Sequence, residues 1–288
     1  MDFDAFIETA WKDHADQAEA VAERLARAAA DEIPTPAHAI ALAQLATHVF
    51  GEHLGRCDDG IALLLALGQA SAAKNEEAAR AIERNVAVLR LVGGDETAPA
   101  FFTEQDRAAV LAGAAAALAG RGDLVRAGAC LAQAQSLAAE LAASSPAQRV
   151  LAVAGNNIAA TLEEKTQLDP GQTAAMLKAA RIGLESWKIA GTWLEEERAH
   201  WMLARCLAKA GEPEAALHHA TVCREICVAH QAPAFEHFFA CALLAQVHTA
   251  LGAESAAATS RRAALDWHAQ LSEEERGWCE QEFAALAP

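Results

Sequence analysis

His219, Cys223 and Cys227 recur four residues apart, and His230 follows just beyond them. On a helix that interval aligns side chains along one stripe. Zinc accepts imidazole nitrogen and thiolate sulfur at about 2.0–2.3 Å. His237 and Cys241 repeat the same interval. Free cysteine is also among the most buried residue types, so packing in a core accounts for both sets. The expectation is therefore no cofactor and no bound metal, with His219, Cys223 and Cys227 as the candidate ligands if one binds. Carboxylates come in runs, Glu163-Glu164 and Glu195-Glu196-Glu197. Adjacent helical positions point in different directions, which does not suit a paired acid and base. GxSxG, HExxH, GxxxxGK[ST] and GxGxxG are all absent from the sequence, and the expectation is a protein that is not an enzyme. The eleven histidines are scattered along the chain and do not suggest a pH sensor.

The composition bounds the class of protein. Of 288 residues, 53% are hydrophobic and 22% charged, which is globular rather than disordered. Much of the apolar fraction is alanine, the strongest helix former, so the chain reads as all-α. With 39 acidic and 23 basic residues the formal charge is −16, which repels phosphate backbones and argues against nucleic acid. The runs Glu195 to Glu197 and Glu273 to Glu275 read as solvated helix surface. The longest uncharged apolar stretch, Ala108 to Gly120, falls short of the roughly 20 residues a bilayer crossing needs, so no membrane partner is expected. The opening Met-Asp-Phe-Asp-Ala-Phe leads into an amphipathic helix rather than a signal peptide. Seven cysteines without a CxxC pair point to reduced thiols and a cytoplasmic protein, and the chain as a whole is expected to be of bacterial type.

Helical periodicity is nearly continuous, punctuated by glycine and proline. A first helix is predicted from about Phe3 to Ala30 and a second from Ala37 to Leu54. The stretch 57–92 reads equally as one helix or two. After the loop at Gly93-Gly94-Asp95 and Pro99 the helices pair: 104–119 with 123–142, 147–165 with 171–190, 193–210 with 213–230, and 234–251 with 254–270. A last helix covers Glu273 to Leu286.

Two segments can be laid over one another. Trp201-Met-Leu-Ala-Arg-Cys-Leu-Ala-Lys-Ala-Gly211-Glu-Pro-Glu-Ala-Ala-Leu217 matches Ala242-Leu-Leu-Ala-Gln-Val-His-Thr-Ala-Leu-Gly252-Ala-Glu-Ser-Ala-Ala-Ala258. Each is an apolar-periodic helix that stops at a glycine and restarts at once. Leu203-Ala204, Leu207, Ala216 and Cys223 in one unit align with Leu244-Ala245, His248, Ala257 and Ala264 in the next. Ala114-Ala115, Leu118, Ala127 and Ala134 occupy the same places in an earlier unit. These units resemble tetratricopeptide repeats, and the segment Asn156-Asn157-Ile158-Ala159 resembles the longer, roughly forty-residue version found in kinesin-light-chain-like arrays. Tyrosine, which that family favours, is absent here.

The resemblance implies an all-α solenoid of antiparallel helix pairs, a superhelix closed by a C-terminal capping helix. Residues 1–100 would form an irregular or capping N-terminal helical region, 101–271 the repeat array and 272–288 the cap. It also implies a concave groove lined by the first helix of each pair, here Asn156, Arg198, Trp201, Arg205, Lys209 and Gln246. Residues 198, 201, 205 and 209 step by three and four and so share one stripe. Three cations around a tryptophan suit an acidic peptide, with arginine supplying bidentate hydrogen bonds. Pairing of these cations with Glu163, Glu164 or the nearby glutamate run is the structural alternative. Trp201 is the tryptophan expected to be exposed, and Trp267 is expected in the core. The function expected is a non-enzymatic scaffold for a protein or peptide partner. The alternative is a small-molecule- or metal-responsive regulator, and an exposed apolar edge would support a homodimer.

Overall fold

The computed structural model describes residues 2–29 and 32–286, and among them there is no strand. The helices are α1 (Phe3–Asp13), α2 (Ala18–Ala28), α3 (Pro36–His48), α4 (Cys57–Leu67), α5 (Glu76–Val92), α6 (Glu104–Gly120), α7 (Leu124–Ala139) and α8 (Pro146–Glu163). They continue as α9 (Pro170–Ala190), α10 (Trp193–Lys209), α11 (Pro213–Ala229), α12 (Ala234–Ala250), α13 (Glu254–His268), α14 (Glu273–Trp278) and α15 (Glu280–Ala284). A π-helical turn at Val49–His53 follows α3 directly. The chain divides into two compact units, Met1–Ala154 and Gly155–Pro288. The expected all-α helical-repeat fold is what the described residues adopt.

In both units the hairpins pack as the aligned small residues require. Ala127 with Ala134, Ala216 with Cys223, and Ala257 with Ala264 are all buried. So are their partners on the preceding helices: Ala114, Ala115 and Leu118, Leu203, Ala204 and Leu207, Leu244 and Ala245. A small side chain at a crossing lets helix axes approach toward the lower end of the roughly 8–10 Å range. The turns after α10 and α12 share one geometry. Gly211 and Gly252 have φ of 79° and 68°, the left-handed region that glycine enters without penalty. Beyond them the N–H of Glu212 donates to the Leu207 carbonyl and that of Ala253 to the His248 carbonyl, each at 2.9 Å. This is the Schellman closure, which satisfies carbonyls a helix end leaves open.

Several expected boundaries move. The helix predicted from Phe3 to Ala30 is two, α1 and α2, separated by a turn after Asp13. There the His14 ring takes up the Trp11 carbonyl that a continuing helix would have used, with Nδ1 at 2.5 Å. The predicted end at Ala30 lies outside the described residues. The stretch 57–92 is two helices, because the Asn75 side chain accepts from the Glu77 and Ala78 N–H groups and starts α5 afresh. The helices on the two sides of residue 100 are tied together. Across that point buried Asp106 on α6 accepts from Arg80 (2.5 and 2.8 Å) and Arg84 (2.8 Å) on α5 and from the Thr103 hydroxyl (2.9 Å). Burial pushes the Asp106 carboxyl up, but those hydrogen bonds outweigh it and hold the group below its ordinary value. The capping helix over 273–286 is two short pieces, α14 and α15, and its last assigned residues, 287 and 288, lie outside the described set.

One turn departs from the glycine rule. Gln231, after α11, has φ of 49°, and the following Ala232 N–H donates to the Cys227 carbonyl at 2.9 Å as in the glycine turns. A side chain there carries the left-handed penalty that Gly211 and Gly252 avoid. Gln231→Gly is therefore expected to stabilise the protein by about 0.5–1 kcal/mol, read as a raised midpoint in urea unfolding. An unchanged or lowered midpoint would show the turn to be unstrained.

Candidate functional site

α10 carries most of the expected site, and its start is fixed by a capping box. The Thr192 backbone N–H and hydroxyl both donate to the Glu195 carboxylate, at 2.8 and 2.6 Å, and Thr192 Oγ1 accepts from the Leu194 N–H. That closure satisfies otherwise open donors and sets the phase of every residue after it. Glu197 falls on the inner face, one turn after Trp193, while Arg198, Trp201 and Arg205 fall on the stripe beside it.

The arginines are already partnered. Arg198 donates to Glu236 on α12, with Nη2 at 2.5 Å and Nε at 3.4 Å. Arg205 donates to Glu163 on α8 at 2.9 Å and to Glu282 on α15 at 3.2 Å. Its guanidinium carbon lies 4.6 Å above the Trp201 ring, within reach of a cation–π interaction. Lys209, at the end of α10, is exposed. Both guanidiniums of the expected stripe thus pair with carboxylates of the same unit, the structural alternative for these cations. Trp201 is half-buried, edge-on to Phe239 at 5.8 Å, rather than exposed. Trp278 is the tryptophan that stands out, 72% exposed. Trp267 packs against the last core cluster and stacks on His237 at 4.3 Å.

Asn156 and Gln246 line adjoining spaces on this side of α10. Asn156, Glu197, Trp201, Met202, Phe235 and Phe239 line a cavity of about 220 Å³ with the Arg198–Glu236 pair among its walls. Through Phe235 and Glu236 it adjoins a cleft of about 440 Å³ bounded by Pro233, Glu274, Glu275 and Trp278. Through Trp201 and Phe239 it adjoins another, of about 350 Å³, which holds Arg205, Gln246 and Glu282. Two acceptor atoms of the central cavity's residues, Asn156 Oδ1 and Glu197 Oε2, are buried without a hydrogen-bond partner. Such an orphaned acceptor costs about 1–3 kcal/mol.

Asn156 is placed by backbone contact. A Cβ on Gly155 would stand 2.7 Å from the Ala179 carbonyl oxygen and from the Gly183 nitrogen. Only glycine lets α8 and α9 meet this closely, and the contact sets the Asn156 amide over Gly183.

Glu197 is 1% exposed. Its Oε1 accepts from the Cys223 thiol at 2.8 Å and from the Cys227 thiol at 3.5 Å. Burial pushes its carboxyl up to about 7, and the nearby Glu236 acts in the same direction, while the thiol donors and Arg198 offset part of the effect. The Cys223 thiol is raised far above its ordinary range by its hydrogen bond with Cys227 and by burial, so it stays protonated as a donor. The expected set His219, Cys223 and Cys227 is not assembled. Both cysteines face α10 and Glu197, whereas His219 pairs with His200, their Nδ1 atoms 2.9 Å apart. Burial above all, with neighbouring positive groups, lowers both of these histidines to about 4. Among the described residues two groups bring three ligand atoms within 4.8 Å of one another: Glu197, Cys223 and Cys227, and in the first unit His14, His48 and His53.

Sequence reasoning missed Glu197, Phe235, Phe239 and Trp278. The signal for Glu197 was register. Counting back from buried Ala204 in helical steps of four and three reaches His200 and then Glu197, so the middle run of glutamates was never one solvated face. Glu195 caps the helix, and only the phase of α10 separates its role from that of Glu197.

No protein-family model matches the chain, and no curated protein matches it. Among solved structures it is similar to a signal transduction ATPase with numerous domains, carrying a tetratricopeptide repeat sensor, from Pyrococcus horikoshii. The TM-score is 0.51 at 14% identity, and the match covers 94% of this chain and 42% of that one. The chain thus spans less than half of that protein's length. The likeness gives the fold: a tetratricopeptide-like helical repeat. Among the described residues no helix is long and apolar enough to cross a membrane.

The buried carboxyl gives the stability of the protein a pH dependence. Folded Glu197, near 7, keeps a proton that the unfolded chain, at about 4.3, has released. The folded state binds the extra proton in that window, so the Glu197 contribution to stability falls as pH rises from about 4.5 to about 7 and is level beyond, a loss on the order of 3 kcal/mol, while His200 and His219, lowered to about 4, contribute with the opposite sign. Glu197→Gln is expected to remove that slope. Its melting temperature should match the wild type near about pH 4.5 and exceed it near about pH 8. A difference between variant and wild-type melting temperatures that does not grow from about pH 4.5 to about pH 8 would remove the assignment.

Proposed function

We propose that the chain is a non-enzymatic interaction module whose second unit binds an extended segment of a partner polypeptide, with a basic side chain of that segment seated in the central cavity. The observation that carries this reading is the cavity's lining, three aromatic rings beside the Glu197 and Glu236 carboxyls. Aromatic faces and acidic groups favour a cation over an anion, so the seat suits a guanidinium or ammonium. The charge of the wider surface agrees. Five glutamates, at 197, 236, 274, 275 and 282, line the three adjoining spaces, against two arginines, at 198 and 205.

A basic partner thus replaces the acidic one that the arginine stripe suggested. A second copy of this chain, at −16, is a poor occupant of so acidic a face, which argues against a homodimer through it. Nucleic acid is repelled by the same charge. A small-molecule-responsive regulator would use the same cavity. The peptide reading is favoured because the cavity continues on both sides into further clefts. The repeat sensor of the similar signal transduction ATPase is compatible with either. The seven described cysteines are free and buried, which supports a reducing, cytoplasmic setting.

Selection from a random peptide display library tests the reading. The expected peptides carry Lys or Arg beside apolar residues, and added salt weakens their binding. Phe235→Ala should weaken a selected peptide by at least about tenfold while leaving the helical circular dichroism unchanged. Selection of acidic peptides, or wild-type affinity in Phe235→Ala, would contradict it.

A further inference from the structure

The first unit holds an arrangement that owes nothing to the groove. His14 closes α1, His48 ends α3 and His53 ends the π-helical turn after it. One ring nitrogen from each lies within 4.8 Å of the others. The rings sit 4.7–5.1 Å apart between centroids, and the Nε2 atoms of His48 and His53 are 3.1 Å apart.

The backbone explains how residues five apart come together. On an α-helix they would diverge by about 140° around the axis. Here the Leu54 N–H donates to the Val49 carbonyl at 2.9 Å, a five-residue closure that widens the turn. The widened turn brings His53 back over His48. Gly51 sits inside it, where a Cβ would stand 2.9 Å from Leu89 Cδ2, so glycine lets the swollen turn press onto α5.

The outer nitrogens are already committed. His48 Nδ1 donates to the Glu52 carboxylate at 2.9 Å. His14 Nδ1 donates to the Trp11 carbonyl at 2.5 Å. A neutral imidazole that donates from Nδ1 keeps its lone pair on Nε2. A carboxylate or carbonyl behind the ring is also the usual support of a metal-bound histidine, since it fixes the tautomer and raises the basicity of the ligand. Glu52 is itself held in place, because its side chain occupies the space that a Cβ on Gly120 would need. The facing Nε2 atoms of His48 and His53 stand at hydrogen-bond distance, 3.1 Å apart. Two nitrogens bound to one zinc at about 2.05 Å in tetrahedral geometry would stand only slightly farther apart than this pair does.

We propose that His14, His48 and His53 form a binding site for a divalent late transition metal ion of the zinc class, with Glu52 as the positioning residue behind His48. Three neutral imidazoles select zinc, copper or nickel over magnesium or calcium, which take oxygen ligands. Three protein ligands leave the fourth tetrahedral position open to water or to a group from outside.

Isothermal titration of the tag-free, metal-stripped full chain with Zn(II) alone, in a non-coordinating buffer, tests the site. The expected result is one equivalent bound per chain. His14→Ala, His48→Ala and His53→Ala should each weaken it by at least about tenfold, and Glu52→Gln by about tenfold, with circular dichroism unchanged. Cys227→Ala, which removes a ligand atom from the other three-atom group, should bind as the wild type does. No uptake by the wild type, wild-type affinity in any one of the three histidine variants, or loss of uptake in Cys227→Ala would overturn the assignment. His53 is exposed, so its alanine variant keeps the packing of the unit and isolates the ligand effect.

Discussion

Helix axes in this protein close up wherever the side chains between them are small, and everything functional follows from where that happens. In the second unit Ala216, Cys223, Ala257 and Ala264 are buried at hairpin crossings, and Gly155 meets the backbone of α9 directly. Larger residues at such crossings would hold the helices apart and cost about 1–3 kcal/mol in strain. The tight seams bring α8, α10 and α12 near enough for the side chains between them to enclose a cavity. Cys223 serves both purposes. It is small enough for the crossing, and its thiol satisfies one oxygen of Glu197.

The ion pairs then act as architecture. Arg205 ties α10 to α8 through Glu163 and to α15 through Glu282, so the final short helix is anchored to the repeat it covers. Arg198 ties α10 to α12 through Glu236. Partly exposed pairs of this kind contribute modestly to stability, but they fix geometry and screen their own charge. After they form, the acidic residues that remain set the sign of the surface. In the first unit Asp106 plays the same part for α5 and α6.

Much of the fold was legible because it rests on local signals. The aligned segments ending at Gly211 and Gly252 gave the period, and most of the paired helices fall within a few residues of their expected bounds. The signals that failed were those carried by side chains far apart in sequence. Glu163 was among the partners the sequence offered for Arg205, but nothing near Arg205 announces that Glu282 will also meet it. Glu197 hid in a run of three glutamates whose roles differ only through the phase set at Thr192. His14, His48 and His53 looked scattered because a π-helical turn, with no marker stronger than Gly51, brings two of them together. His219, by contrast, had the right spacing for the cysteines, but the pitch of α11 turns it toward His200.

The six tryptophans offer the most direct measurement. Indole N–H signals of isotope-labelled protein can be followed while a short arginine-rich peptide, and separately its glutamate-rich counterpart, is added. Movement of the Trp201 and Trp278 signals with the arginine-rich peptide alone, while Trp11 stays still, is the outcome this account requires. Movement of Trp201 with the glutamate-rich peptide, or no movement at Trp201 with either, would contradict it.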